Sequence, residues 1–542
     1  MLSNNSGGYN TAVGYNSLSA NTFGNYNSAF GYKALNSNTT GNRNSAFGYS
    51  SLRLNTIGVR NAAFGYAAML YNTTGNNNSA FGTMALYLNT TGTNNTAIGY
   101  NSMYFNTIGQ NNTSVGHQAL YSNTTDSNSA FGFQTLYSNV IGTKNTAVGE
   151  VALYNNTTGS YNSAFGHRSL FTNISGRYNS AFGMYSMYSN TSGVENVGIG
   201  VNALYTNKTG SYNVSIGVNS LYNNVSGNNN TAVGTAALQN NTTNNNSAFG
   251  YKALFANTVG VSNVAVGYFA LAANTIASYN SAVGVTSLAS NTTGAYNTAF
   301  GYGTLRYNTV GAYNTAGGTF ALNNNTTGKN NTAFGYASLK TNTIGISNTG
   351  FGYQTLYANT TGTDNVAVGH NSLLYNTIGS NNVAVGRSSL QSNTTGNQNI
   401  AIGYRSLNAN TTGNCNVAVG KDASFSSTFG SYNSVFGYQS MYYNVTGVNN
   451  SAFGYFALFY NTVSNNNAFG FNALRENTTG ASNTAVGYQS LRYNTVGNNN
   501  VAIGLQALFN NTSGARNNAL GVNALVSNTI GSNNNACLLY TS

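Results

Sequence analysis

An all-β fold, a parallel β-solenoid of about 31 coils with seventeen residues in each, is what this sequence predicts. Three observations carry the prediction. A seventeen-residue unit repeats without a linker from Asn10 to Asn533. Glycine and asparagine recur at fixed places in it, so no stretch of ten helix-forming residues survives. The charged residues avoid one segment of the unit altogether.

The unit is seen in "NSAFGYKALNSNTTGNR", residues 27–43, followed by "NSAFGYSSLRLNTIGVR" and "NAAFGYAAMLYNTTGNN". Numbering the slots from the first Asn gives 31 units, of which those starting at Asn112, Asn230 and Asn450 are one residue short. Slot 1 is always Asn and slot 5 always Gly. Slot 4 is Phe, Val, Ile or Leu except at Gly317, slot 9 is Leu or Met except at Ser424, and slot 12 is Asn except at Ser427. Repeats at such a period mean a solenoid or an array.

Within the unit, slots 2–4 read as one strand and about 7–11 as a second. Corners fall near 5–6, 12–15 and 17–1, where Gly, Asn and Thr gather. Stacking places identical residues above one another, so buried Asn columns bond coil to coil. At the strand spacing, 31 coils make a rod of roughly 150 Å. The coil at 416–432 loses its slot-9 Leu and its slot-12 Asn together, which predicts a local irregularity that Phe425 offsets by turning inward.

Slots 1–5 carry none of the 18 basic and 6 acidic residues. All Lys and Arg fall in slots 6, 7, 10, 13, 16 and 17. Asp126 lies in the corner of a shortened unit, and the other acids fall in slots 6, 7, 11 and 17. Charged residues are rarely buried, so slots 7, 10 and 11 face water at least in part, while the strand through slots 2–5 is shielded. A strand with no charge on either face is covered on both. The coil interior covers one face, and the simplest cover for the other is a second copy of the chain; the alternative is that chance and a narrow coil keep charge off both faces. A ladder of slot-4 Phe/Val/Ile, or of slot-3 Ala such as Ala29, Ala46 and Ala63, is too much apolar surface to leave open.

Composition excludes several classes. The chain has 64 Gly, 41 Tyr, no Pro, no Trp and 4% charged residues. Its 41% hydrophobic content is too high for a disordered polar tract. No apolar run approaches the ~20 residues that cross a bilayer. The net charge of +12 is dispersed rather than clustered, which argues against a nucleic-acid partner. Cys415 and Cys537 make no disulfide framework.

No catalytic constellation, metal site or cofactor motif is present in the sequence, and the chain is read as a non-enzyme. His117, His167 and His370 all occupy slot 6, where they replace the common Tyr. The first two lie three coils apart, on the order of 14 Å, too far for one metal. Glu150, Glu195, Asp364, Asp422 and Glu476 are scattered among coils. The "NTT" sequons are explained by corner Asn without any sugar. Two columns suit a partner. Tyr15, Tyr32, Tyr49 and Tyr66 stack in slot 6, and aromatic faces suit carbohydrate or protein. The alternative there is packing against a neighbouring coil or chain. Slot 13 is mostly Thr, an arrangement similar to ice-binding solenoids, although Lys208 interrupts it.

"NVAVGKDASFS", residues 416–426, resembles the head repeat of trimeric autotransporter adhesins, the YadA-like head. "NTAVGYNSL" and "NSAFGYKAL" are similar to longer repeats of bacterial and phage fibre proteins. The resemblance implies left-handed β-rolls, a homotrimer, and extracellular display on a bacterial surface or a virion. It implies a host-surface protein or glycan as receptor. The period of seventeen departs from the family's shorter one. Alternative readings are a phage tail-fibre shaft and a monomeric ice- or glycan-binding solenoid.

The organisation is one continuous solenoid over 1–533, with an incomplete coil at 1–9, then a truncated repeat at 534–542. Residues 537–542, "CLLYTS", break the pattern. TGT CTC TTA TAC ACA TCT encodes them, a transposase-adapter sequence of DNA library preparation. The sequence therefore reads as a fragment, with Met1 in a slot-9 position and the anchor outside it.

Overall fold

Short β-runs separated by Asn and Gly corners wind into stacked coils, one per repeat. The computed structural model describes residues 7–538. It comprises two units, Met1–Ile276 and Ala277–Ser542. The first holds sixteen three-residue strands, β1 (Thr11–Val13) to β16 (Val264–Val266). The second holds sixteen more, β17 (Ser281–Val283) to β32 (Asn535–Cys537). Within each unit every strand pairs in parallel with the next, like slot on like slot, as in Ala29↔Ala46 and Ala384↔Ala401. No helix occurs among the described residues, and none is therefore long and apolar enough to cross a membrane.

The strand at slots 2–4 is where the sequence places it. The second strand, at 7–11, is not formed: slots 6–11 are turn. Slots 7 and 9 lie in the left-handed region, as Lys33 (φ 54°) and Leu35 (φ 49°) show, and slot 17 follows at Arg43 (φ 59°). Such a residue costs about 1–2 kcal/mol. The alternation points successive N–H groups in opposite directions along the stack. Lys33 N–H donates to Tyr15 O of the coil before at 2.9 Å, and Leu35 N–H to Ser51 O of the coil after at 3.1 Å. The backbone of this side is thus satisfied between coils without being a β-strand.

The interior is thin. Each coil contributes slot 3 (usually Ala), slot 8 (Ala, Ser or Thr) and the slot-9 Leu or Met, and nearly all are fully buried. Two asparagine columns complete it. Asn38 Nδ2 in slot 12 donates to Asn21 Oδ1 of the preceding coil at 2.8 Å and to Gly41 O of its own at 3.0 Å. Asn44 N–H in slot 1 donates to Asn27 Oδ1 at 2.9 Å, and Asn44 Nδ2 to Gly58 O at 2.8 Å. Both columns are buried, as the fixed slots predict. Slot 5 needs Gly because coils approach closely there: at Gly31 (φ 131°) a Cβ would lie 2.5 Å from Gly48 O.

Shortened units lose their residue from the corner, not from the strand. Thr125 O takes the role of the missing Gly O, accepting from Asn112 Nδ2 at 2.7 Å and Asn123 Nδ2 at 2.8 Å. The strands beyond stay in register, Thr113↔Ser129.

Two expectations are corrected here. The backbone of coil 416–432 is regular: Ile400↔Val417 and Val417↔Ser434 pair in register, and Ser424 N–H donates to Ser440 O at 2.9 Å. Phe425 does not turn inward. It stays on the outside, stacked on Tyr442 at 5.0 Å, because slot 10 points away from the core. At the C-terminal side, Cys537 does not break the pattern at once. It pairs with Leu520 of β31 (Asn518–Leu520), since any apolar side chain suits slot 4. Leu538 then occupies the glycine slot. Met1 and residues 539–542 lie outside the described residues.

Candidate interaction surface

The strand alternates, so slot 3 points inward and slots 2 and 4 point out. Ala fits the narrow interior beside Leu; the larger Phe, Val and Ile of slot 4 are left on the surface. Phe30, Phe47, Phe64 and Phe81 stack with centroids 4.7–4.8 Å apart and planes within 8°. Phe436, Phe453 and Phe469 repeat this in the second unit at 4.7 and 4.8 Å. Side chains in this column are substantially open, for example Phe81 at 41% and Ile402 at 41%. Slot 2 is Ser, Thr, Val or another uncharged residue and half-buried. The outward strand face is therefore without charge, an apolar slot-4 column beside a slot-2 column that is mostly Ser and Thr, and the chain by itself leaves it uncovered. At Gly317 the column is interrupted, and the Phe334 ring leans over the gap.

Slot 6 adjoins this face. Tyr15, Tyr32, Tyr49 and Tyr66 do form a ladder, at 5.4, 4.8 and 5.2 Å with planes within 11°. This is the packing of each ring on a neighbouring coil that the sequence offers as one of its two readings. Each ring covers the face of the next, so edges and hydroxyls are offered rather than stacking platforms. His117 is one more rung, stacked between Tyr100 and Phe133 at 5.2 Å each, and His370 stacks on Tyr353 at 5.0 Å. His167 meets Tyr185 edge-on at 5.3 Å. Among the described residues no three His, Cys, Asp or Glu side chains converge on a point.

A longer ladder escaped the sequence reading. Slot 10 is aromatic in nine successive coils of the first unit, from Tyr87 to Tyr222, with Phe171 among eight tyrosines. Neighbouring rings are 4.9–5.5 Å apart and within 24° of parallel. The signal was available as a run of Tyr one place after the core Leu. It was hidden because slot 10 varies in the other units, where Arg, Lys, Asn, Gln, Ala and Leu are mixed with further aromatics. Half-burial, and then the adjoining tyrosines, raise the pKa of Tyr87, Tyr121 and Tyr205 above the ordinary tyrosine range. Their folded pKa lies above the unfolded value near 10. The stability linked to them is therefore fully present below that value and is lost as pH rises through the folded pKa. In an alkaline titration these phenolates should appear late and together with loss of the β circular-dichroism signal. Tyr205→Phe should move that transition upward; an unchanged transition would show the ladder does not titrate as described.

The threonine column is engaged with the backbone: Thr39 Oγ1 donates to Thr56 O at 3.1 Å, and Thr73 Oγ1 to Thr90 O at 3.1 Å. The slot-12 Asn of each sequon is buried in its ladder. Basic side chains lie over the outer rings, as with Lys33 above Tyr32 at 5.1 Å and Lys252 above Tyr251 at 5.4 Å. No protein-family model matches the chain, and no curated protein is significantly similar to it.

Proposed function

We propose that this chain is the repeat region of a surface fibre or adhesin, in which copies associate through the outward face of their strands. The observation that carries the proposal is that face: every full coil adds an uncharged, open strand, most with a large apolar side chain in slot 4. Over sixteen strands the open apolar area is on the order of 1,000 Å² per unit, above the few hundred Å² a soluble monomer shows. A self-complementary face repeated at every coil is best covered by the same face of another copy. Three copies around an axis is the arrangement that the resemblance to YadA-like heads implies. The basic and aromatic slots 6, 7 and 10 then remain outside as a repeated surface for a receptor protein or glycan. Attachment at a bacterial surface or on a virion is the role that fits, and the tail-fibre reading shares this architecture.

The competing monomeric solenoid, ice- or glycan-binding, keeps the strand face in water. Its threonine hydroxyls are spent on backbone carbonyls, which weakens the ice reading. Sedimentation equilibrium of the purified chain decides between them. The expected particle has three times the chain mass and persists at low micromolar concentration. A folded particle of single-chain mass would overturn the proposal.

A further inference from the structure

Ser424 stands in the leucine column and Ser427 in the asparagine column, and both are buried. Neither hydroxyl has a hydrogen-bond partner, and neither does Asn410 Oδ1 in the coil before. Between regular coils that oxygen accepts from the next coil, as Asn393 Oδ1 accepts from Asn410 Nδ2 at 2.7 Å; at the shortened coil after Asn224 it does not. On the far side, Asn444 Nδ2 has lost its ladder acceptor and donates to Gly447 O alone at 3.0 Å; its Oδ1 takes Gly447 N–H at 3.1 Å because Asn461 of the shortened coil beyond donates to Val463 O instead. The asparagine ladder is thus severed at Ser427. Ser427 N–H donates to Ser424 O at 3.3 Å, so the two serines share one turn. Three unpartnered polar atoms therefore lie in two adjoining coils, where a leucine and an amide are replaced by shorter side chains.

The outside of the same coil carries a compensating contact. Arg405 Nε lies 2.8 Å from Asp422 Oδ1, and the Asp422 side chain is only 2% exposed. The guanidinium also covers Phe425 at 4.8 Å and Tyr404 at 4.9 Å. Among the described residues the other ion pair, Arg475–Glu476, joins sequence neighbours, so Arg405–Asp422 is the pair that bridges coils.

We propose that coil 416–432 holds ordered water bonded to Ser424 Oγ, Ser427 Oγ and Asn410 Oδ1, and that Arg405–Asp422 is the clasp closing it. Water is the ligand that suits a small polar site with two to four partners. A coil that has exchanged a leucine and a ladder amide for water is the one where the second unit opens first. It is a built-in yield point along the stack, regular in backbone and weak in its interior.

Hydrogen exchange read by mass spectrometry on the full chain tests this. Amides of 416–432 should exchange about tenfold or more faster than those of the regular coil 382–398. Ser424→Leu with Ser427→Asn restores the repeat and should bring the two coils to the same rate. Asp422→Asn, or Arg405→Gln as a second probe of the clasp, should speed exchange of 416–432 further. Equal rates in the unmodified chain, or no slowing in the restored variant, would overturn the hydrated break. Unchanged exchange in both clasp variants would overturn the clasp.

Discussion

Ala29→Asp, Ala46→Asp and Ala63→Asp together should unfold the coils that carry them. Phe30→Asp, Phe47→Asp and Phe64→Asp should leave those coils folded and weaken the self-association proposed above. The two sets differ by one residue in each strand and by which way that residue points. Ala29, Ala46 and Ala63 are fully buried. A carboxylate there has neither water nor a cation, which costs several kcal/mol at each site. The neighbouring interior is only Leu, small residues and asparagine amides already committed to their ladder, so no partner is free to compensate. The phenylalanines stack outside on one another at 4.7 Å, and a carboxylate in their place is hydrated until another chain tries to cover it. Circular dichroism and sedimentation velocity on both variants give the answer. A folded alanine set, or a phenylalanine set that keeps its oligomeric mass, would refute the assignment of faces.

A single change inside the asparagine ladder should be nearly as damaging. Asn173 Nδ2 donates to Asn156 Oδ1 at 2.7 Å and to Gly176 O at 3.1 Å, and its Oδ1 accepts from Asn190 Nδ2 at 2.8 Å. Asn173→Asp keeps the shape, removes both donors and sets a charge against two acceptors. The expected loss is about 3–5 kcal/mol. Asn173→Ala strands the same groups without adding charge, at about 1–3 kcal/mol for each group left unpaired. Each coil touches only its neighbours, so the loss should appear as local opening around Asn156–Asn190 before the whole unit melts. Urea unfolding of both variants measures the difference. A cost below about 1 kcal/mol for Asn173→Asp would show that the ladder does not support the stack.

Much of this architecture was readable before any coordinates. The period follows from counting, the invariant Asn slots announce buried amide columns, and the invariant Gly marks a corner. Absence of charge from slots 1–5 marks the strand and its uncharged outer face. Those features are written in residue type, because burial of a charge or a Cβ at a tight corner is forbidden whatever the detail of the coil. The aromatic rungs were legible only in part: the slot-6 ladder shows as a column of Tyr, while slot 10 mixes its aromatic runs with Arg, Lys, Asn, Gln and Ala.

What the tertiary structure alone decided is of another kind. Alternation tells that slots 3 and 4 point opposite ways, but not which of them points inward. The coil settles it, since Leu35 already fills the interior and leaves room for Ala29 rather than Phe30. Slots 7–11 read as a strand because nothing in Lys33 or Leu35 marks a left-handed backbone. Their φ values of 54° and 49° are imposed by coil-to-coil hydrogen bonds, a preference that belongs to the stack and not to the side chains.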